Sequence, residues 1–326
     1  MLYINANDIE NILSLQEFVD AIEKALTIMG KKQFFMPERT HIHQKNNTLL
    51  LMPCFTDQYF GTKLVSVFPD NAEKGKPVIY GNMILNKADT GEATAIIDGA
   101  KLTAMRTGAV GALGIRYLMS ESDKKTSKNL GIIGAGVQGV HQAIFACSET
   151  KISKIYVFDF KEKNIRSLKK QVNLHHENII VQKAETPVQL IENSGIIITA
   201  TNSFTPVIPD NKDLLKNKIF IGIGSFKPDM MEFSKSLFEV ADIIFVDTMI
   251  AKKESGDLVT PLQKNWINDN QIIEIASLVS GKISINDKKQ GTKVFKSVGM
   301  GLFDLIIAQK LYEKAIESNM GQKVIT

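Results

Sequence analysis

The sequence predicts an α/β protein of two domains. One is a doubly wound parallel sheet; the other is an α+β domain built discontinuously from both ends of the chain. Three observations predict this. After residue 120, six short Ile/Val-rich runs alternate with helix-compatible sequence, the pattern of a parallel sheet buried on both faces. Before residue 100, four β-like runs follow one another with no helix between them, which implies antiparallel pairing. The last helix has a broad apolar face and no strand of its own to cover, so it is expected to return to the N-terminal domain.

Composition bounds the problem. The 326 residues are 44% hydrophobic, 23% charged and 7% aromatic, a length that suggests about two globular domains. Apolar content is too high for a disordered chain. Apolar stretches are too short for a membrane span. Cys54 and Cys147 cannot make a disulfide framework. The start, MLYINANDIE, lacks a basic region and carries early acids, so it is not read as a secretory signal. A reducing cytoplasm is the expected location. The net charge of +4 is spread thinly, with no basic block interleaved with aromatics, so neither nucleic acid nor membrane is an expected partner.

The elements follow in order. Leu15, Phe18, Val19, Ile22, Leu26 and Met29 recur at helical spacing, Ser14 with Glu17 reads as a capping box, and Gly30 ends the helix. Strands are expected at 48–54, 59–68, 78–85 and 93–97, with a turn at Asp89-Thr90-Gly91, and then a Gly/Ala/Thr-rich helix over 100–119. The polar stretch SESDKKTSKN reads as a boundary. The parallel strands are expected at 130–133, 155–158, 179–181, 196–199, 219–223 and 243–246. Leu302, Leu305, Ile306, Ile307, Leu311, Tyr312 and Ala315 define the closing helix. The domains are therefore expected over 1–119 with 296–326, and over 120–295.

The sharpest motif is Gly134-Ala135-Gly136-Val137-Gln138-Gly139, a GxGxxG after a strand and opening a helix. The first Gly allows a tight turn, the second a close approach of a pyrophosphate, and the third close helix–strand packing. The helix N-terminus offers free N–H groups to the phosphates. About twenty residues on, a second strand ends in Phe158-Asp159, an acid placed to accept ribose hydroxyls. These features predict a Rossmann dinucleotide fold binding NAD(H). NADP(H) stays possible because of Lys161 and Lys163. Thr199-Ala200-Thr201-Asn202 and Gly222-Ile223-Gly224-Ser225 lie at carboxyl ends of parallel strands, where ligands bind in this fold.

Three cations in the other domain sit in unusual settings. They are Arg39 in MPERTHIH, Lys63 within a strand, and Arg106 amid small residues on a helix. Two arginines and a lysine can clamp a carboxylate; each alone also reads as a surface charge, and spacing does not decide whether they converge. His41, His43, His141, His175 and His176 make no metal-ligand spacing, so no metal is expected. Cys54 and Cys147 read as packing residues.

The combination resembles the ornithine cyclodeaminase/μ-crystallin family across nearly the whole chain. The resemblance rests on Pro37-Glu38-Arg39, Gly61-Thr62-Lys63 with Val67-Phe68-Pro69-Asp70-Asn71, Thr103-Ala104-Met105-Arg106-Thr107-Gly108, the Gly134–Gly139 loop, Gly256-Asp257-Leu258, and Ser297-Val298-Gly299 with Asp304. It implies a homodimer formed through the N-terminal, substrate-binding domain, and an active site between the domains. Arg39, Lys63 and Arg106 would hold the substrate carboxylate, and Lys63 would donate a proton to the nascent amine. Asp304 would stand near substrate and cofactor, and Val298 and Gly299 would line the nicotinamide.

One departure separates the family's activities. Its cyclodeaminases and alanine dehydrogenases carry an Asp shortly after the fifth strand, where this chain has Phe226 in Gly224-Ser225-Phe226-Lys227-Pro228. Cyclodeamination needs a carboxylate there to take protons and hold a distal ammonium. The sequence instead resembles members that reduce Δ1-pyrroline-2-carboxylate and Δ1-piperideine-2-carboxylate to proline and pipecolate. The expected function is thus NAD(P)H-dependent reduction of small cyclic imino acids. Ornithine cyclodeaminase or alanine dehydrogenase is the enzymatic alternative, and a non-catalytic, crystallin-like binder of NAD(P)H or another small ligand is the alternative of another class.

Overall fold

The computed structural model describes residues 1–120, 124, 126–285 and 291–324. Within the boundary stretch, residues 121–123 and 125 lie outside the described residues. Fifteen described strands form two sheets. They are β1 (Leu2–Ile4), β2 (Thr40–Gln44), β3 (Asn47–Phe55), β4 (Tyr59–Val67), β5 (Ile79–Lys87), β6 (Ala93–Asp98), β7 (Lys128–Ile133), β8 (Ile152–Phe158), β9 (Ile180–Lys183), β10 (Ile196–Thr199), β11 (Ile219–Gly222), β12 (Ala241–Val246), β13 (Ile272–Glu274), β14 (Thr292–Lys296) and β15 (Gln322–Lys323). The chain divides into two compact units, Met1–Arg106 with Met300–Thr326, and Thr107–Gly299. Both divisions differ from the expected boundaries at 119/120 and 295/296. The first falls inside the helix Gly99–Leu118, whose halves make their contacts in different units.

In the first unit the sheet runs β15-β1-β6-β5-β4-β3-β2. Pairing from β2 to β6 is antiparallel, while β1 lies parallel to β6. Alternation puts Met52 and Cys54, Gly61 and Lys63, Met83 and Leu85, and Ala95 and Ile97 on the buried face. Two helices cover that face. Leu15–Gly30 begins at a capping box in which the Ser14 N–H donates to Glu17 Oε2 at 2.8 Å, and it buries Phe18, Val19, Ile22 and Leu26. Gly301–Glu317 packs against β3–β6 and against that helix, burying Leu302, Leu305, Ile306, Ile307 and Leu311. The Gly99–Leu118 helix opens where Asp98 Oδ1 accepts the Lys101 N–H at 2.7 Å. Gly99 has no room for a Cβ, which would stand 2.7 Å from the Gly81 backbone of β5.

The second unit holds an all-parallel sheet, β13-β12-β14-β11-β10-β7-β8-β9. All six expected parallel strands are present, and two more join them. β14 inserts between β11 and β12, so the expected sixth strand is not beside the fifth. The reason it escaped an apolar-run reading is its sequence, Thr292-Lys293-Val294-Phe295-Lys296. Lys293 Nζ finds the Leu118 carbonyl at 2.7 Å, and Lys296 is wholly buried among carboxylates. β13 spans only three residues. The small residues after Arg106 serve packing: a Cβ on Gly108 would stand 2.5 Å from Phe145, and one on Gly111 would meet Gln142. Among the described residues no helix is long and apolar enough to cross a membrane.

Candidate functional site

Lys63 stands in the middle of β4, between Met52 of β3 and Met83 of β5. It is a cation on an apolar face, only 2% exposed. Burying a charge there requires a partner, and Asp304 supplies it: Lys63 Nζ donates to Asp304 Oδ2 at 2.8 Å and to Thr103 Oγ1 at 3.2 Å. Asp304 is wholly buried in the first turn of the Gly301–Glu317 helix, where the helix dipole favours a carboxylate. Arg106, also buried, brings Nε to 3.3 Å from Asp304 Oδ1. That contact is an ion pair without hydrogen-bond geometry, and both atoms lack a hydrogen-bond partner among the described residues.

Arg39 is half-buried just before β2. The register sets Thr40 opposite Leu51 and Met52 opposite Lys63, so β3 separates Arg39 from Lys63. Burial, opposed by Asp304 but reinforced by Arg106 and Arg39, lowers the Lys63 ammonium to about 8. The three expected cations and Asp304 therefore converge in one unit. Asp304 is one carboxylate shared by two buried cations, Lys63 and Arg106, so the group has an excess of positive charge that suits an anionic ligand.

The glycine loop occupies the end of β7. Gly134 has φ +95°, and a Cβ there would stand 2.6 Å from the Ala200 carbonyl. A Cβ on Gly139 would stand 1.9 Å from the Gly134 carbonyl oxygen. Gly136 is different. Among the described residues nothing lies within 4 Å of its missing Cβ, and as N-cap of the helix Val137–Glu149 it provides no side-chain cap. Ala135 and Val137 flank it, and Gln138 Oε1 is buried without a hydrogen-bond partner among the described residues. An open backbone and an uncapped helix N-terminus fit a pyrophosphate. Asp159 accepts the Ala135 N–H at 2.8 Å, the Lys161 N–H at 2.7 Å and Asn164 Nδ2 at 3.2 Å, which ties the end of β8 to this loop.

The other expected residues are held from behind by acids that the sequence reading missed. The Thr201 N–H and hydroxyl both donate to Glu232 Oε1, at 2.7 and 2.8 Å, and the Gly224 N–H donates to Oε2 at 2.8 Å. Val298 and Gly299 donate their N–H groups to Asp247 Oδ2 at 3.0 and 2.7 Å, and the Ser297 hydroxyl joins them at 2.7 Å. Gly299 has φ +73°. Asp247 had a legible signal, since it directly follows β12 at a strand carboxyl end; Glu232 lies in a loop and had none. Phe226 is 48% exposed after β11. Among the described residues no group of three or more His, Cys, Asp or Glu side chains is placed to hold a metal.

Comparison with known proteins places the chain among relatives of similar length and fold. Over 334 residues the chain is 30% identical to Δ1-pyrroline-2-carboxylate reductase of Bacillus cereus, covering 99% of each chain. It superposes with a TM-score of 0.91 on Δ1-pyrroline-2-carboxylate reductase of Thermococcus litoralis in complex with NADH and L-proline, at 30% identity and 99% and 100% coverage. An archaeal alanine dehydrogenase dimer with bound NAD is 25% identical, with a TM-score of 0.89 and 100% and 99% coverage. The profile of the ornithine cyclodeaminase/mu-crystallin family matches residues 2–319, and the chain belongs to that family.

Proposed function

We propose that this chain is an NAD(H)-dependent reductase that converts small cyclic imino acids, Δ1-pyrroline-2-carboxylate or Δ1-piperideine-2-carboxylate, to proline or pipecolate. The observation that carries the reading is the buried Lys63–Asp304–Arg106 cluster, with Arg39 close enough to act on Lys63. Likeness to reductases of that name supports it.

In this reading Gly134–Gln138 hold the pyrophosphate and Asp159 accepts from the adenosine ribose. A carboxylate at that position repels a 2′-phosphate, so NAD(H) is preferred. The loops at Thr201, Gly224 and Val298–Gly299 form the nicotinamide end of the site. Bound NADH supplies the hydride that reduces the imine carbon. Arg39 and Arg106 hold the substrate carboxylate, with Arg106 offering its guanidinium fork. Lys63 gives its proton to the imine nitrogen, so that C=N becomes CH–NH. A donor titrating near 8 is matched to work at neutral pH. Asp304 orients Lys63 and keeps it charged despite burial.

The test is to mix the protein with Δ1-pyrroline-2-carboxylate and NADH or NADPH and follow loss of the reduced cofactor. Turnover with NADH is expected; no turnover with either cofactor would sink the reading. Likeness to alanine dehydrogenase favours a second reading, reductive amination of pyruvate, which the same assay with pyruvate and ammonia decides. Phe226 argues against cyclodeamination because it supplies no carboxylate.

We also propose a homodimer. The edge strand β2 is exposed along its whole length, and Ile42, Phe68, Ile79 and Tyr80 leave apolar surface uncovered in the same unit. A second copy is the expected occupant; the similar archaeal alanine dehydrogenase is a dimer. Light scattering on the purified protein should read twice the chain mass.

A further inference from the structure

Three consecutive positions of the parallel sheet, β10, β11 and β14, end in the loops at 199–202, 222–225 and 297–299. One buried charged cluster touches the first two and includes Lys296, the residue before the third. Glu232 accepts from the Thr199 hydroxyl at 2.9 Å and the Ser225 N–H at 3.3 Å, besides Thr201 and Gly224. Lys296, the last residue of β14, lies 3.9 Å from Glu232 Oε2 and 3.1 Å from Asp257 Oδ2. Asp257 Oδ1 in turn accepts the N–H groups of Glu232 and Phe233 at 2.7 and 2.9 Å. Glu232, Asp257 and Lys296 are all wholly buried.

The packing leaves no slack. A Cβ on Gly224 would stand 2.1 Å from the Thr201 carbonyl oxygen and 2.5 Å from Glu232 Oε1. A Cβ on Gly222 would stand 2.4 Å from Phe233 and 3.2 Å from the Lys296 stem. Both oxygens of Glu232 face only donors: Thr201 on one side, and Thr199, Gly224 and Ser225 on the other. An ionised carboxylate is the one side chain of this shape that accepts on both sides. An amide would turn its NH2 toward backbone N–H groups on one side or the other and release that loop.

We infer that Glu232, Lys296 and Asp257 are positioning residues that set the loops at 199–202 and 222–225 in register with the end of β14, and that they do so without touching the cofactor. This rests on the cofactor assignment above. The cluster contacts neither the Gly134–Gly139 turn nor Asp159 through any described hydrogen bond or ion pair, so its influence should stop short of the ADP half of the dinucleotide.

That division gives the test. NADH and ADP-ribose share the ADP-ribosyl portion, and only NADH carries the nicotinamide. Dissociation constants for both are measured by calorimetry on the native protein, Glu232→Gln and Lys296→Met, alongside thermal melting. The expected result is an NADH dissociation constant raised about tenfold or more in each variant, with ADP-ribose binding within twofold of native. Amide exchange of the cofactor-free Glu232→Gln protein should quicken at Gly224 and Ser225 or at Thr201. Equal weakening of both ligands, or no weakening of NADH, would overturn the inference. Should neither variant fold, Thr199→Val deletes one hydroxyl donor while keeping the shape, and unchanged NADH affinity there would overturn it equally. Native protein that binds neither ligand would sink the cofactor assignment itself, a result distinct from failure of the variants.

Discussion

Each unit buries a lysine among acids, and the two lysines are held differently. Lys63 and Arg106 share one carboxylate, that of Asp304, and Arg39 adds a third positive charge. Lys296 stands between two carboxylates, whose remaining acceptor sites are filled largely by backbone N–H groups. The first cluster pairs two buried cations with one buried carboxylate, a surplus of positive charge that suits an anion. The second pairs one cation with two carboxylates, although Lys296 Nζ and Asp257 Oδ2 make no hydrogen bond among the described residues. Burial pushes the Glu232 carboxyl up and Asp257 adds to this, while Lys296 and the Thr201 hydrogen bonds pull it back. What a buried ion cluster does is therefore decided by the ratio of cations to carboxylates that the fold brings together, and not by the residue types alone.

The contrast breaks most sharply at Lys63. Replacing it by Ala should lower kcat/KM for imine reduction by about a thousandfold, the range of a lost general acid, with NADH affinity unchanged; retained activity would remove Lys63 from the chemistry. In the native protein the sign of the pH dependence follows from the same group. Lys63 is protonated below its pKa of about 8 and neutral above it, so kcat/KM in the reductive direction should hold below that value and fall about tenfold per unit beyond it. Substitutions in the second cluster should leave this limb in place.

Asp304→Asn should act next most strongly. It leaves Lys63 and Arg106 without their shared carboxylate, lowers the lysine further, and moves the alkaline limb to lower pH. Activity should drop about a hundredfold, and chemical denaturation should register a cost of about 3–5 kcal/mol. An unchanged pH limb would dissolve the pairing. Arg106→Lys keeps the charge and loses the fork, so KM for the imino acid should rise about tenfold with kcat much less affected. Asp159→Ser gives the smallest effect. It should shift the NADH-to-NADPH ratio of kcat/KM about tenfold toward NADPH, the size of one charge repulsion near a surface.

Much of the fold was legible, for identifiable reasons. The helix Leu15–Gly30 carries its own start signal in Ser14 and Glu17, and six parallel strands announce themselves as unbroken apolar runs. β14 did not, because its buried lysines find polar partners that no local pattern reveals. Residues named for the site came from local motifs: glycines whose spacing reports a backbone shape, an acid at a strand end, and cations among small neighbours. Gly108 and Gly111, after Arg106, serve close packing against Phe145 and Gln142, partners that lie far along the chain. Glu232 was missed because its significance lies entirely in what surrounds it.

The chain alone determined the turn at Gly134–Gly139 and the period of each element, since backbone sterics and side-chain alternation act between near neighbours. Only the tertiary structure decided that Lys63 and Asp304, 241 positions apart, form a pair at 2.8 Å. It also decided that Lys296 meets two buried carboxylates while Lys63 shares one with Arg106. A buried charge takes its properties from every group within a few ångströms, and those groups are brought together by folding.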